Sequence, residues 1–409
     1  MLRSLDRACT ENGKKSLLGR ACLILSAAVW FHGGMIWAQT PVTRLVIDDQ
    51  KGKDASPRIA ALGNGRYAIL WSRYADDYES MLYGRVVDIE GRTITPVRKS
   101  MLGTTVADPW AFDVAAQGAG VFLMAAERSS DESIVTRKFG SNAKPLSALV
   151  VATSPGDDPT LAVGSAGTAL GCTWGAQTYA GLLDAAGRIS GDLLALQASS
   201  TSRYFFGLHL VETPSGFLYV GIETTSDYSD RRAAGCAIRS DAGSATKATA
   251  YQGFQANAGN PYLDAAFDGP RGLVLFGRGV VGAGGIGYYR QLKSDGRPAA
   301  PARRFPTSGA TTAHMFSVHP LTGTDRFACA WLDETNWNAY LQIRKIDGSA
   351  SAAAVQLSSN YWAMSDQEIA MAYDAPTNRI LAAWIERATT QNPTAVWIGV
   401  FGLAVEVRE

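Results

Sequence analysis

The stretch GRVVDIEGR (residues 84–92) reads as a strand that runs into a tight turn, and related phrases recur along the chain. Each phrase contains a turn glycine, and the seven are Gly91, Gly140, Gly187, Gly243, Gly296, Gly348 and Gly402. Neighbouring turn glycines lie about 50 residues apart. A period of this length is typical of repeat architectures with four short strands in each unit.

A second phrase precedes each turn and consists of two apolar strands joined by a short turn, as in PRIAALGNGRYAILW (57–71). Such nearly continuous apolar runs predict strands that are buried on both faces. One unit therefore reads as strand A, strand B ending near Trp71, a polar loop, strand C (YGRVVD, 83–88), the glycine turn, and strand D (TITPVRKS, 93–100).

The N-terminal segment 43–57 lines up with residues 95–109, which hold strand D of the first unit and its exit loop. Residues 42–49 thus supply a strand D with no strands A to C before it, and we expect them to complete the seventh sheet. The sequence predicts an all-β fold, a seven-bladed β-propeller of four-stranded antiparallel sheets, whose ring is closed by the N-terminal strand.

This period and pattern resemble secreted bacterial seven-bladed β-propellers with degenerate blades, over residues 42–409. The resemblance is one of fold, because the signature boxes of sialidases, WD repeats and kelch repeats are absent. It implies that the B–C loops and the D–A connections emerge on one face around the central channel, where similar proteins place binding and catalytic groups. The glycine turns belong to the opposite face.

The N-terminus combines basic residues (Lys14, Lys15 and Arg20) with an apolar run over 21–31 and a small residue, Ala38, before a polar one. This order predicts a signal peptide over residues 1–38 and a mature propeller over 39–409, secreted or periplasmic. The apolar run has about 11 residues whereas a membrane span needs about 20, so no span is expected after cleavage. A leader retained as an anchor is the alternative.

Charge and cysteine content limit the classes of partner and cofactor that we expect. Cleavage at residue 38 removes five of the 38 basic and two of the 37 acidic residues, so the mature chain is nearly neutral and nucleic acid is not an expected partner. Its three cysteines, Cys172, Cys236 and Cys329, lie in separate apolar runs and are expected to be buried thiols. Zinc and calcium motifs are absent, so no metal or cofactor is expected.

Polar and aromatic residues just after strand B and in the loops of the same face form the candidate ligand site. The candidates are Arg73, Tyr78, Glu127, Arg128, Arg278, His314, Asp333, Trp337, Trp362, Glu386 and Arg387. Rings stack on sugar faces and planar charged groups grip hydroxyls or carboxylates, which suits a glycan. The alternative is that these loop residues only solvate themselves and pair between neighbouring blades.

Other polar residues are expected to be structural. The adjacent acids Asp76–Asp77 and Asp157–Asp158 lie in loops of the candidate face and are expected to cap turns. His209 and His319 each lie eight residues before strand B begins and are expected at equivalent strand A positions between blades. His314 is the one histidine considered for proton transfer.

Two functions follow from this sequence. The first is a non-catalytic propeller that binds a glycan or protein partner on the candidate face. The second is a carbohydrate-active enzyme with its site at the top of the channel. In a lyase, arginines such as Arg73 would neutralise a uronate while His314 removes a proton; in a hydrolase, carboxylates such as Glu127 and Asp333 would flank the bond.

Overall fold

The computed structural model is all-β, with no helix in the residues that it describes. Those residues are 40–48, 54–74, 80–108, 110–118, 120–227, 231–250, 261–268, 271–278, 287–304, 313–333, 338–358, 369–387 and 394–403. Within these ranges no helix is long and apolar enough to cross a membrane. The expected all-β class is confirmed, and several of the sheets are four-stranded and antiparallel, as expected.

The described strands form seven antiparallel sheets, numbered here in chain order, and strand β1 (Thr40–Asp48) belongs to the last of them. Sheet 1 contains β2 (Asp54–Gly63), β3 (Arg66–Tyr74) and β4 (Ser80–Asp88). Sheet 2 contains β5 (Phe112–Ala116), β6 (Val121–Arg128), β7 (Ser133–Gly140) and β8 (Val150–Thr153). Sheet 3 contains β9 (Asp157–Gly164), β10 (Gly167–Trp174), β11 (Gln177–Leu183) and β12 (Leu194–Leu196). Sheet 4 contains β13 (Arg203–Thr213), β14 (Gly216–Thr225), β15 (Arg231–Arg239) and β16 (Thr249–Ala250).

The remaining three sheets repeat this order. Sheet 5 contains β17 (Pro261–Asp268), β18 (Arg271–Arg278), β19 (Gly287–Leu292) and β20 (Arg303–Arg304). Sheet 6 contains β21 (Ala313–Pro320), β22 (Arg326–Asp333), β23 (Asn338–Lys345) and β24 (Val355–Gln356). Sheet 7 contains β25 (Ala370–Asp374), β26 (Arg379–Arg387) and β27 (Thr394–Gly402), and β1 pairs antiparallel with β27 as its fourth strand.

Apolar cores lie between neighbouring sheets. In the sheets whose strand B side chains are described, which leaves out sheet 5, strand B is buried on both faces because one face packs on the preceding sheet and the other on the following sheet. Trp71 is fully buried in a cluster that also holds Leu381 of sheet 7, and Leu70 points to the opposite side, into a cluster with Phe122 of sheet 2. Each strand A also contacts strand A of the next sheet, and β25 contacts β2.

Polar side chains on strand A link several sheets to the next one. In each link a side-chain oxygen accepts a hydrogen bond from a backbone N–H of the following strand A. The three links are Asp113 Oδ2 to Leu161 (2.7 Å), Thr160 Oγ1 to Leu210 (3.1 Å) and Asp264 Oδ2 to Val318 (2.8 Å). These bonds satisfy buried backbone donors that no strand partner reaches, and so they hold the positions of neighbouring strands.

Sheet 1 differs from the prediction, because residues 93–100 do not form a continuous strand D. They touch β4 only at isolated bridges, Val87 with Thr93 and Gly84 with Arg98. The N–H groups of both Ile94 and Thr95 donate to the same carbonyl, that of Val86, so the register slips there. Pro96 follows and has no N–H to offer a ladder, which explains why regular pairing stops.

The glycine turns are only partly where the sequence alignment placed them. Gly91 closes its turn with a left-handed backbone (φ 80°) and donates its N–H to Asp88 O. In sheets 2 and 4 that role belongs to Ala143 (φ 57°) and Ala242 (φ 52°), and not to Gly140 and Gly243. The recurring glycines therefore mark the approximate place of each turn but not the residue that closes it.

A left-handed backbone costs about 1 kcal/mol for alanine. We therefore expect Ala242→Gly to raise the free energy of unfolding by about 0.5 kcal/mol or more. Ala143→Gly should raise the free energy of unfolding by less, because the methyl group of Ala143 is buried in a core cluster and its removal loses packing. Gly91→Ala should destabilise, since its new Cβ would lie 3.0 Å from Ile398 and Leu45 side chains. Urea unfolding of the three variants checks this order, and a destabilised Ala242→Gly protein would contradict it.

The two strand A histidines are not equivalent, contrary to the sequence expectation. His209 pairs with Val220, whereas His319 pairs with Ala328, which lies closer to the A–B turn. His209 lies eight residues before Phe217, and His319 lies eight residues before Phe327. However, two residues separate the last pair of β13 and β14 (Thr213 with Gly216), whereas six separate the last pair of β21 and β22 (Pro320 with Phe327). The longer turn of sheet 6 moves His319 two residues further towards the turn end of its strand.

Candidate functional site

The candidate face is the end of the sheets where strand A begins and strand B ends. Each strand B has an equivalent last position, two residues after the residue that packs on the preceding sheet, such as Trp71, Trp331 or Trp384. We call it the strand B end position. Its occupants are Arg73, Arg128, Trp174, Glu223, Arg278, Asp333 and Glu386.

Arg73 is tied into the fold of sheet 1. Its Nε lies 2.6 Å from Oδ1 of Asp54, and its guanidinium group lies 4.6 Å from the ring centre of Tyr83. Asp54 is fully buried and Arg73 is 8% exposed. A buried carboxylate requires a countercharge, and Arg73 supplies it to Asp54. The role of Arg73 is therefore structural.

Other described side chains at this position also have partners within the chain. Arg128 pairs with Asp131 at 2.5 Å, and Glu386 accepts a hydrogen bond from Trp384 Nε1 at 3.0 Å. Glu223 is buried and accepts the N–H of Ser199. Asp333 is 4% exposed. In the described ion pairs, Arg73 and Arg128 therefore pair within their own sheets, and not with charges of a neighbouring blade.

For six of the candidate residues, the structure describes either only the backbone or nothing. Tyr78, Trp337 and Trp362 fall outside the described residues. Arg278, His314 and Arg387 have backbones in β18, β21 and β26, but their side chains are not among those described. Their proposed roles stay predictions.

The sequence analysis placed both Glu127 and Arg128 just after strand B. In the structure only Arg128 occupies the strand B end position. Glu127 lies one residue earlier and points to the other side of sheet 2, towards the first residues of β9 in sheet 3. There it meets Asp108, Asp157 and Asp158, and we call these four residues the acid cluster. Within the described part of the chain, no lysine or arginine forms an ion pair with any of the four.

The four carboxyl groups of the acid cluster have pKa values above those of ordinary exposed carboxyl groups. Burial, and then the charges of Asp157, Asp158 and Asp108, raise the pKa of Glu127 to about 8, although the N–H of Asp158 donates to its carboxylate. Desolvation and the neighbouring Asp157 raise the pKa of Asp158 to about 6, and desolvation is also the main cause that raises the pKa values of Asp157 and Asp108. At neutral pH Glu127 is therefore mostly an uncharged acid that can donate a proton.

Three exposed aromatic side chains lie at the same end of sheets 2 to 4. Trp110, in the connection that enters sheet 2, is 43% exposed; Trp174, at the strand B end position of sheet 3, is 52% exposed; and Tyr204, at the start of β13, is 39% exposed. Large exposed aromatic rings next to hydrogen-bonding groups are typical of binding surfaces. We call these three residues and the acid cluster the acid–aromatic face.

Sequence reasoning missed most of this face. It proposed Glu127 and treated Asp157 and Asp158 as turn caps, and it did not select Asp108, Trp110, Trp174 or Tyr204. The repeat itself held one usable signal, because Trp174 falls at the strand B end position that elsewhere is occupied mostly by charged residues. Among the described residues, no three metal-ligating side chains converge as they would around an ion.

Comparisons with known proteins support the fold. No protein-family model matches the chain, and no curated protein matches its sequence. A protein of unknown function from Dyadobacter fermentans DSM 18053 superposes with a TM-score of 0.51 at 12% identity, covering 90% of this chain and 99% of that one. Kluyveromyces lactis Hsv2 gives 0.44 at 8% identity, with 87% and 98% covered. An endo-arabinase from Bacteroides thetaiotaomicron VPI-5482 gives 0.36 at 9% identity, with 71% and 92% covered. The superposition on the Dyadobacter fermentans protein, at a TM-score of 0.51, shows that the two chains share a fold.

Proposed function

We propose that this protein is a seven-bladed β-propeller that binds a glycan, without catalysis, on the acid–aromatic face. The blade count is supported by the seven sheets, and closure of the ring by the contact of β25 with β2 and the pairing of β1 with β27. In this reading residues 1–38 are a cleaved signal peptide and the mature protein is secreted or periplasmic. A protein partner is the alternative ligand.

The observation that supports binding most directly is the exposure of Trp110, Trp174 and Tyr204 at the end of the sheets that also holds the acid cluster. Flat rings stack on the C–H faces of sugars, and carboxylates accept hydrogen bonds from sugar hydroxyl groups. The acid cluster would repel a uronate, so a neutral glycan suits this face better than an acidic one. Arg73 and Arg128, which a lyase would need, already pair with Asp54 and Asp131.

We expect neutral polysaccharides to raise the melting temperature of the purified protein and Trp174→Ala to abolish that rise. The control is Leu146→Ala, because Leu146 is 60% exposed but lies in the C–D turn at the other end of sheet 2. Loss of binding in the control, or binding that survives in both Trp174→Ala and Trp110→Ala, would refute this placement of the site.

One observation favours the second function, a glycoside hydrolase. Glu127 keeps a proton at neutral pH beside Asp157 and Asp158, and a protonated carboxyl group next to an ionised one is the arrangement of a general acid with its partner. The same polysaccharide panel, assayed for new reducing ends, decides between the two functions. Product that disappears in Glu127→Gln would make the protein an enzyme, and stabilisation without product would support a binding protein.

A further inference from the structure

A cavity lies at the opposite end of the sheets from the acid–aromatic face. It has a volume of about 420 Å³ and opens where the A strands of sheets 3 to 6 reach their A–B turns. Pockets of this size hold small organic molecules of one or a few rings. Most of the residues that line it have apolar side chains, among them Leu210, Ala265, Phe267 and Val318.

His319 contributes a polar side chain to this wall, as do Glu212 and Thr213. Burial lowers the pKa of His319 to about 4, so the imidazole is uncharged at neutral pH and presents one N–H donor and one nitrogen acceptor. No hydrogen bond or ion pair holds it within the part of the chain that the structure describes. A partly buried imidazole without a partner is a place where a ligand gains a hydrogen bond that the protein itself does not make.

Glu212 sets the charge at the edge of the cavity. Its Oε1 accepts the N–H of Ser165 in sheet 3 at 2.8 Å, and its side chain lies against Gly164, where a Cβ atom would come within 2.8 Å of it. The exposed carboxylate of Glu212 disfavours an anionic ligand at this opening.

We propose that this cavity binds a small uncharged phenol of one or two rings, whose hydroxyl group donates a hydrogen bond to the imidazole of His319. The rings occupy the space beside Phe267 and Val318, where they gain apolar burial and edge or face contacts with the phenyl ring. This site is separate from the acid–aromatic face and does not depend on the proposed function.

The test uses the full chain and three probes of similar shape: 2-naphthol, naphthalene without the hydroxyl group, and 2-naphthoate as the anion. Affinities are measured by calorimetry, and the histidine Cε1–Hε1 resonances are followed by NMR during each titration. We expect 2-naphthol to shift the His319 resonance saturably, naphthalene to bind at least fivefold more weakly, and 2-naphthoate at least tenfold more weakly.

The variant His319→Phe keeps a flat ring and removes the acceptor, so we expect it to bind 2-naphthol at least fivefold more weakly and naphthalene unchanged. The control is His209→Gln, because His209 lies on β13, two sheets before His319, has its Nδ1 3.6 Å from Asp264 Oδ1, and does not line the cavity. An unmoved His319 resonance in the unaltered protein would overturn the proposal even if the variant failed to fold. Equal affinity for 2-naphthol and naphthalene, or tight binding of 2-naphthoate, would overturn it as well.

Discussion

Replacing Arg73 by methionine is expected to lower the free energy of unfolding by about 3 kcal/mol, the cost of leaving a buried charge without its partner. Methionine keeps the apolar stem of the arginine and removes the guanidinium group that lies 2.6 Å from Asp54. Asp54 is fully buried and would be left without its main countercharge. Urea unfolding at neutral pH measures the loss.

The matched control is Arg92→Met, which breaks a pair of the same length with Asp88 on an exposed turn. Because that pair is solvated, little change in stability is expected. The double variant Asp54→Asn with Arg73→Met should recover part of the loss, since the buried charge is then absent. A stable single variant would show that the Asp54–Arg73 pair is not structural and would return Arg73 to the list of candidate ligand contacts.

Glu127→Gln is expected to stabilise the protein at pH 8 by an amount on the order of 3 kcal/mol, and to have little effect near pH 4. The pKa of Glu127 is raised to about 8 in the folded chain, mainly by burial, from 4.5 when exposed. Between these two values the folded protein keeps a proton that the unfolded chain releases. Stability therefore falls as pH rises from about 4.5 to 8, and glutamine, which has no charge to bury, removes that fall.

Asp131→Asn provides a control of opposite sign. Hydrogen bonds from Arg128 and Ser133 lower the pKa of Asp131 to about 2, so its ionised form stabilises the fold above its unfolded pKa and the contribution disappears as pH falls towards 2. Asparagine should therefore destabilise at neutral pH, and only slightly because the site is exposed. A Glu127→Gln protein whose stability relative to the unaltered chain did not change with pH would show that Glu127 is ionised in the fold.

The candidate site was less predictable than the fold because its parts come from different sheets. Asp157 and Asp158 look like turn caps when the chain is read locally, and Glu127 looks like a neighbour of Arg128. Side chains in a strand alternate between faces, so Glu127 and Arg128 point to opposite sides and only Glu127 meets the aspartates of sheet 3. The raised pKa of Glu127 arises from this meeting and from burial.

The sequence by itself determined the strand content and the period near 50 residues, because alternating turns and apolar runs are local patterns that repeat with the sheets. It also indicated the burial of Cys172, Cys236 and Cys329, which the structure confirms as free and buried thiols. Only the tertiary structure decided which polar residues act together. Turn lengths and register slips shift side chains by two residues, as they do for His319, and a contact between sheets depends on those shifts and not on distance along the chain.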